Sequence, residues 1–171
     1  MNTFIKYLAA MFIIAISMLG QGCVKKAAWV DIDHKTKFDP SQYLRPGWSS
    51  NEHDERNAKL SSINLYDLEL INPLKTAEGK ILYGEERFDY TKTYSQIRLD
   101  ANALRAILKN QSMIPKEWRN KVICFDGAIF RDADGHRCFF CLYWHDNWHC
   151  KLLYFSTPIF NNYVSAVYRN K

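Results

Sequence analysis

The chain has 171 residues, 23 Lys/Arg against 18 Asp/Glu and a formal net charge of +5. The excess is mild and scattered, so the clustered basic face that a nucleic-acid partner requires is not expected. With 47% apolar and 24% charged residues, the composition is that of a globular domain and not of a disordered tail.

At the N-terminus, Lys6 precedes an apolar run from Tyr7 to Leu19 in which Ser17 is the polar residue, and Gly20 and Gly22 lead into Cys23. A run of about 13 residues is too short to cross a hydrocarbon core of about 30 Å as a helix. It has instead the charged, apolar and small-residue zones of a secretory signal peptide, over residues 1–22. The stretch Leu19-Gly20-Gln21-Gly22-Cys23 resembles the lipobox of bacterial lipoproteins, with Gly20 where that motif favours Leu. The resemblance implies that the Cys23 thiol receives a diacylglyceryl group and becomes the mature N-terminus, which makes a lipid bilayer the first partner. It also implies a cell-envelope location, the outer membrane ahead of the inner, with the domain facing the periplasm. Gly20 and Gly22 would equally suit an ordinary signal peptidase that cuts after Gly22 and releases the chain. Export is common to both outcomes.

Residues 23–60 are polar, their apolar positions follow neither a 2 nor a 3.6 period, and Pro40, Pro46 and Gly47 interrupt them. They are expected to form the lipid-anchored N-terminus and a polar stalk, although Trp29, Tyr43 and Trp48 are unusual in a stalk. A single α+β domain is expected over 61–171. Residues 61–70 read as a strand with a change of parity, ended by Asn72-Pro73. A short strand over 80–84 and an aromatic, β-branched strand over 87–99 follow. Asp100 is the expected N-cap of the one main helix, 101–110, with Leu104, Ile107 and Leu108 on its apolar face. Pro115 can open a further short turn.

The C-terminal third predicts a three-stranded meander over 121–131, 136–146 and 148–156, with hairpin turns at Asp132–Gly135 and Asp146-Asn147. The expected fold class is therefore α+β, an antiparallel sheet with this meander and one main helix. Centring the two hairpins on Ala133-Asp134 and Asp146-Asn147 puts both Cys124 and Cys150 opposite Tyr143. Cys124, Cys141 and Cys150 then share one face and Cys138 takes the other.

Those four cysteines lie among His136, His145 and His149. In an oxidising compartment an even number of cysteines favours a disulfide, and the register allows Cys141 to bridge Cys124 or Cys150. Cys138, Cys141, His145, His149 and Cys150 are zinc-ligand types, but sulfurs three apart on a strand point to opposite faces. A thioredoxin-like use of the Cys138–Cys141 pair lacks the helix N-terminus that lowers a thiol pKa. Asp132–Gly135 reads as a plain turn; Asp126, His136, Glu85 and Glu86 read as surface residues. No phosphate-cradling loop or nucleophile elbow is present, so neither a cofactor nor a catalytic residue is expected. Trp118, Trp144 and Trp148 are the candidates for partner contact.

A small anchored domain of this kind is expected to act by binding a protein, as immunity proteins that neutralise a periplasmic toxin do. The competing expectation is a thiol-redox or metal-binding envelope protein using the cluster over 136–150.

Overall fold

The computed structural model describes residues 26–75 and 82–169. The expected signal peptide 1–22, the attachment residue Cys23 and the start of the expected 80–84 strand lie outside the described residues. Among the described residues no helix is long and apolar enough to cross a membrane.

Nine strands and two α-helices occur among these residues. The strands are β1 (Trp29–Asp31), β2 (Ser49–His53), β3 (Ser62–Asn64), β4 (Leu68–Ile71), β5 (Ile97–Arg98), β6 (Val122–Arg131), β7 (Arg137–His145), β8 (Asn147–Tyr154) and β9 (Tyr163–Tyr168). The helices are α1 (Gly84–Thr91) and α2 (Ala101–Lys109). One seven-stranded sheet runs β4-β9-β6-β7-β8, with β2 paired to β6 and β5 to β9. β1 and β3 form a separate antiparallel ribbon.

The meander β6-β7-β8 forms as expected, but the sheet around it is mixed. β9 lies parallel to β6, pairing Val122 with Tyr163 and Cys124 with Ser165. After β8 the chain returns past β7 and fills the open edge of β6, a long-range choice that no local pattern encodes.

The sheet is covered on both faces. On the first, α2 and the ribbon pack on Ile123, Phe125, Phe130, Phe140 and Leu142. On the second, α1 covers Cys124, Phe139, Cys141 and Phe155. α2 follows its sequence signals: the Asp100 carboxylate accepts from the amides of Asn102 and Ala103, both at 3.0 Å, and Leu104 and Ile107 are fully buried. α1 replaces the first part of the strand expected over 87–99. Its residues alternate in polarity, yet Arg87 and Thr91 also stand four apart on one helical face, and both are buried. The Tyr83 amide donates to Glu86 Oε2 (3.0 Å) and starts the helix. A Cβ on Gly84 would overlap the Phe155 backbone, so glycine lets α1 lie directly on the sheet.

The segment expected as a stalk is part of the domain. Ala28, Val30, Ile32, Leu44 and Leu60 are buried in the first core, and Phe38 packs edge-on against Phe140 at 4.9 Å. Its apolar residues have no period because turns separate them, so each one is aimed inward independently. The domain boundary expected at residue 61 thus falls between two packed pieces of one core.

Both expected hairpin registers also shift. β6 pairs with β7 as Cys124 with Cys141 and Phe125 with Phe140, then resumes as Phe130 with Cys138. Between them Gly127 leaves the ladder: its amide donates to Leu99 O (2.9 Å) and its carbonyl accepts from Asp54 N (2.7 Å). A Cβ at Gly127 would overlap the Arg98 carbonyl. This bulge reverses the parity of β6, so Phe125 and Phe130 both face the first core. The second hairpin turns on Asp146 alone, at φ +59°, which puts Cys150 opposite Leu142 instead of Tyr143.

Asp54 joins β2 and β5 at this bulge. Its carboxylate accepts from Arg56 Nε (2.7 Å), Arg56 Nη2 (2.6 Å) and the Arg98 amide (3.0 Å). Burial works against its charge, but the Arg56 guanidinium and the Arg98 amide overcome it and hold its pKa below the ordinary 3.8. A carboxyl depressed on folding adds stability above its unfolded pKa and loses it as pH falls through the folded one. Acid titration of unfolding is therefore expected to show a loss of stability developing below pH 3.8. Asp54→Asn should remove that component and cost about 1–3 kcal/mol at neutral pH, measured by urea denaturation.

Candidate functional site

The polar groups most enclosed by the fold lie between α1 and the second face of the sheet. Four neighbouring strands place Lys151, Cys141, Cys124 and Ser165 in one transverse row, by the pairings of β8 with β7, β7 with β6 and β6 with β9. Above that row Arg87 descends from α1. Its Nε lies 3.3 Å from Asp126 Oδ2, its Nη2 donates to Ser165 Oγ, and Ser165 Oγ donates to Asp126 Oδ2 at 2.8 Å. The guanidinium also stands over the Phe139 ring, 5.5 Å from its centroid. Arg87, Ser165 and Asp126 are 0%, 0% and 1% exposed.

Burial opposes the charge on Arg87; the neighbouring Cys124, Asp126 and Cys141 outweigh it, and the guanidinium pKa is raised above its ordinary value. Arg87 Nη1 and Asp126 Oδ1 are without a hydrogen-bond partner, as is the nearby buried hydroxyl of Tyr94. Burial and then the Asp126 charge raise the Tyr94 pKa, against Arg87.

The row brings two thiols together. Cys124 and Cys141 stand directly opposite each other with their sulfurs 3.2 Å apart, and both are free and fully buried. Burial, followed by the Cys124 neighbour, pushes the Cys141 thiol well above the ordinary value of 9.0 despite Arg87 and Lys151. A raised pKa makes the buried Cys141 thiol a poor nucleophile near neutral pH.

The expected Cys/His cluster is otherwise dispersed. Cys138 packs in the first core and Cys141 in the second, as strand parity requires. Cys150 also joins the first core, not the face of Cys124 and Cys141 as expected; it lies beside Tyr43. Burial raises the Cys138 thiol to about 12 and the Cys150 thiol to about 11. His145 is exposed, and His149 stacks on Tyr143 with Nε2 3.0 Å from the His145 carbonyl. No three of these side chains converge as metal ligands among the described residues. The group that does converge is Asp132, Asp134 and His136, in the exposed β6–β7 turn. There Asp132 Oδ1 already accepts from the amides of Asp134 and His136 at 3.0 and 2.8 Å, as a turn requires.

Of the residues expected at the surface, Glu85, Glu86 and His136 are exposed and Asp126 is not. Asp126 is in the buried ion pair. Glu85 pairs with Arg137, which stacks on Phe155 (4.3 Å) and Phe88 (5.0 Å) and also binds Glu52 at 2.6 Å. Glu86 caps α1. Trp118 and Trp148 are each 5% exposed and belong to the core, so they offer a partner no surface. Trp144 is half-buried between the Arg119 guanidinium (3.9 Å) and the Trp148 ring (5.3 Å). Among the described residues the exposed large hydrophobic side chains are Trp29, Tyr43, Tyr66, Tyr83, Tyr90 and Phe160.

The importance of Arg87 and Ser165 carries no sequence signal. Asp126 had one: a lone carboxylate inside the apolar run Val122–Phe130 calls for a buried partner. A cleft of about 260 Å³ lies between Phe38, Trp48, His53 and Phe130, and a shallower one of about 380 Å³ between Phe38, Tyr43, Arg105 and Cys150.

No family model matches the chain, and neither a curated protein nor a solved structure matches it.

Two outcomes test this geometry. Arg87→Met removes the guanidinium from its buried pair with Asp126, and is expected to cost about 3–5 kcal/mol in chemical denaturation. Adding Asp126→Leu should return most of that loss, which an interaction confined to the surface would not do. Oxidation during refolding should close Cys124–Cys141 ahead of any other pair, read by peptide mapping without reduction. Residues directly opposite on antiparallel strands have Cα atoms about 4.5–5.5 Å apart, inside the disulfide range. Cys138 and Cys150 are offset by four residues along their strands, or about 13 Å.

Proposed function

We propose that the chain is an envelope lipoprotein, held by an acyl group on Cys23, whose domain acts by binding a protein and not by catalysis. The leader and its resemblance to a lipobox support the location. The outer face of α1 supports the binding role.

On that helix Arg87, Phe88 and Thr91 turn toward the sheet, while Tyr83 (47% exposed), Glu86 and Tyr90 (40% exposed) face out. Phe160, 60% exposed, follows Ile159, which bridges Leu82 just ahead of Tyr83. Aromatic side chains supply much contact area for little lost rotamer freedom, and they dominate binding hot spots. Glu85, paired with Arg137, and Asp89, paired with Lys92, border the rings with Glu86, so the face is apolar with a polar rim. The face is also pre-ordered. The buried Arg87 pair and the Arg137–Glu85 bridge pin α1 before any partner arrives, which reduces the entropy lost on binding. A toxin or effector delivered to the periplasm, blocked by an immunity protein, is the partner class this reading favours.

Reversible cross-linking of the membrane-extracted full chain in envelope extract should yield one stoichiometric protein. Replacing Tyr83, Tyr90 and Phe160 together by Ser should weaken that complex by at least about 30-fold, with the melting temperature unchanged. Capture that is unaffected by the triple replacement, or no stoichiometric protein at all, would count against the reading.

A further inference from the structure

We propose that the end of the domain formed by β1 and the turn after β3 is a membrane seat. There Lys26, Trp29 and Tyr66 rest in the headgroup layer of an anionic phospholipid bilayer. The inference rests on the acyl anchor at Cys23 and adds the orientation that the anchor imposes on the fold.

The packed N-terminal segment leaves no stalk to hold the domain off the membrane. Ala28 is already buried, and its amide donates to Asn64 Oδ1 at 2.9 Å. Four residues lie between Cys23 and Ala28, and the five residue-to-residue steps reach at most about 18 Å even fully extended. A headgroup layer is itself about 5–7 Å deep on each side of the hydrocarbon. The surface around Ala28 is thereby held at the bilayer.

That surface has the residues the interface selects. Trp29 is 54% exposed and Tyr66 38% exposed, and Lys26 Nζ lies 5.6 Å from the centre of the Tyr66 ring. Trp and Tyr rings with a polar edge concentrate at headgroup depth, and a lysine keeps its ammonium among the phosphates. Lys26 supplies charge that anionic headgroups attract. The patch is rigid because Asn64 Oδ1 accepts from both the Ala28 and the Tyr66 amides, the latter at 3.3 Å, locking β1 to the turn that holds Tyr66. Asp31, two residues further from Cys23 on the same exposed side of β1, marks the limit of the seat. The ribbon belongs to the first core and α1 to the second, so the sheet stands between the seat and the aromatic face of α1. A chain seated this way presents α1 to the compartment.

The test uses the full chain, processed and extracted from a bacterial host, with its mass establishing the lipid on Cys23. It is reconstituted into vesicles of phosphatidylethanolamine and phosphatidylglycerol containing a nitroxide-labelled headgroup lipid. Tryptophan fluorescence should be quenched, and Trp29→Phe should lose that quenching while retaining the wild-type melting temperature. Omitting phosphatidylglycerol should reduce it. A lipidated chain quenched no more than its Trp29→Phe variant overturns the seat and leaves the anchor standing. An unmodified Cys23 overturns both. Shielding of Trp29 from a soluble quencher that persists at the same level in detergent, and falls on dilution, assigns the patch to a second copy of the chain and overturns the seat.

Discussion

A guanidinium cut off from solvent must be compensated inside the fold, and the compensation of Arg87 comes from three strands at once. Asp126 on β6 supplies the charge, Ser165 on β9 the bridging hydroxyl and Phe139 on β7 the ring face. These strands are far apart in sequence, so the pair can form only when the mixed sheet is assembled and α1 has docked. The low dielectric makes each partner costly to leave alone, which ties the helix position to the strand order. The Gly84 contact with Phe155 and the Arg137 bridge to Glu85 reinforce the same docking from the helix N-terminus.

Asp126 shares the face of Cys124 by strand alternation, and the bulge at Gly127 that follows keeps both halves of β6 in the sheet. By leaving the β7 ladder, Gly127 takes its hydrogen bonds from Leu99 and Asp54. β2 and β5 thereby attach to a sheet that a plain meander would have closed to them. The reversed parity lets Phe125 and Phe130 serve the same core, and it leaves the row Lys151-Cys141-Cys124-Ser165 on the other face. One irregular residue thus separates an apolar first layer from a second layer with a polar centre.

That division bears on the functional reading. The enclosed polar centre holds α1 in place and is closed to solvent, whereas five exposed aromatic residues, Tyr43 apart, fall into two groups. Trp29 and Tyr66 lie beside the point where the anchor would enter. Tyr83, Tyr90 and Phe160 lie around α1. A tethered binding protein needs these two properties together, one side to meet the membrane and one to meet a partner.

Much of the local architecture was legible in the residues. The Asp100 cap with its i, i+3, i+4 apolar face specified α2, and the Asp-Gly turn between apolar runs specified the first hairpin, because each signal acts within a few residues. Strand parity likewise separated Cys138 from Cys141 before any register was known. What the sequence by itself determined was therefore the cap, the first turn and the meander. The parallel β9, the helical state of 84–91 and the packing of 26–60 depended on long-range surfaces: an open edge of β6, a buried partner for Arg87 and an uncovered first core. So did the contact of Cys124 with Cys141, which exists because a bulge shifted one register. Only tertiary structure could decide these, since burial and ion pairing are set by residues distant in the chain and not by neighbours along it.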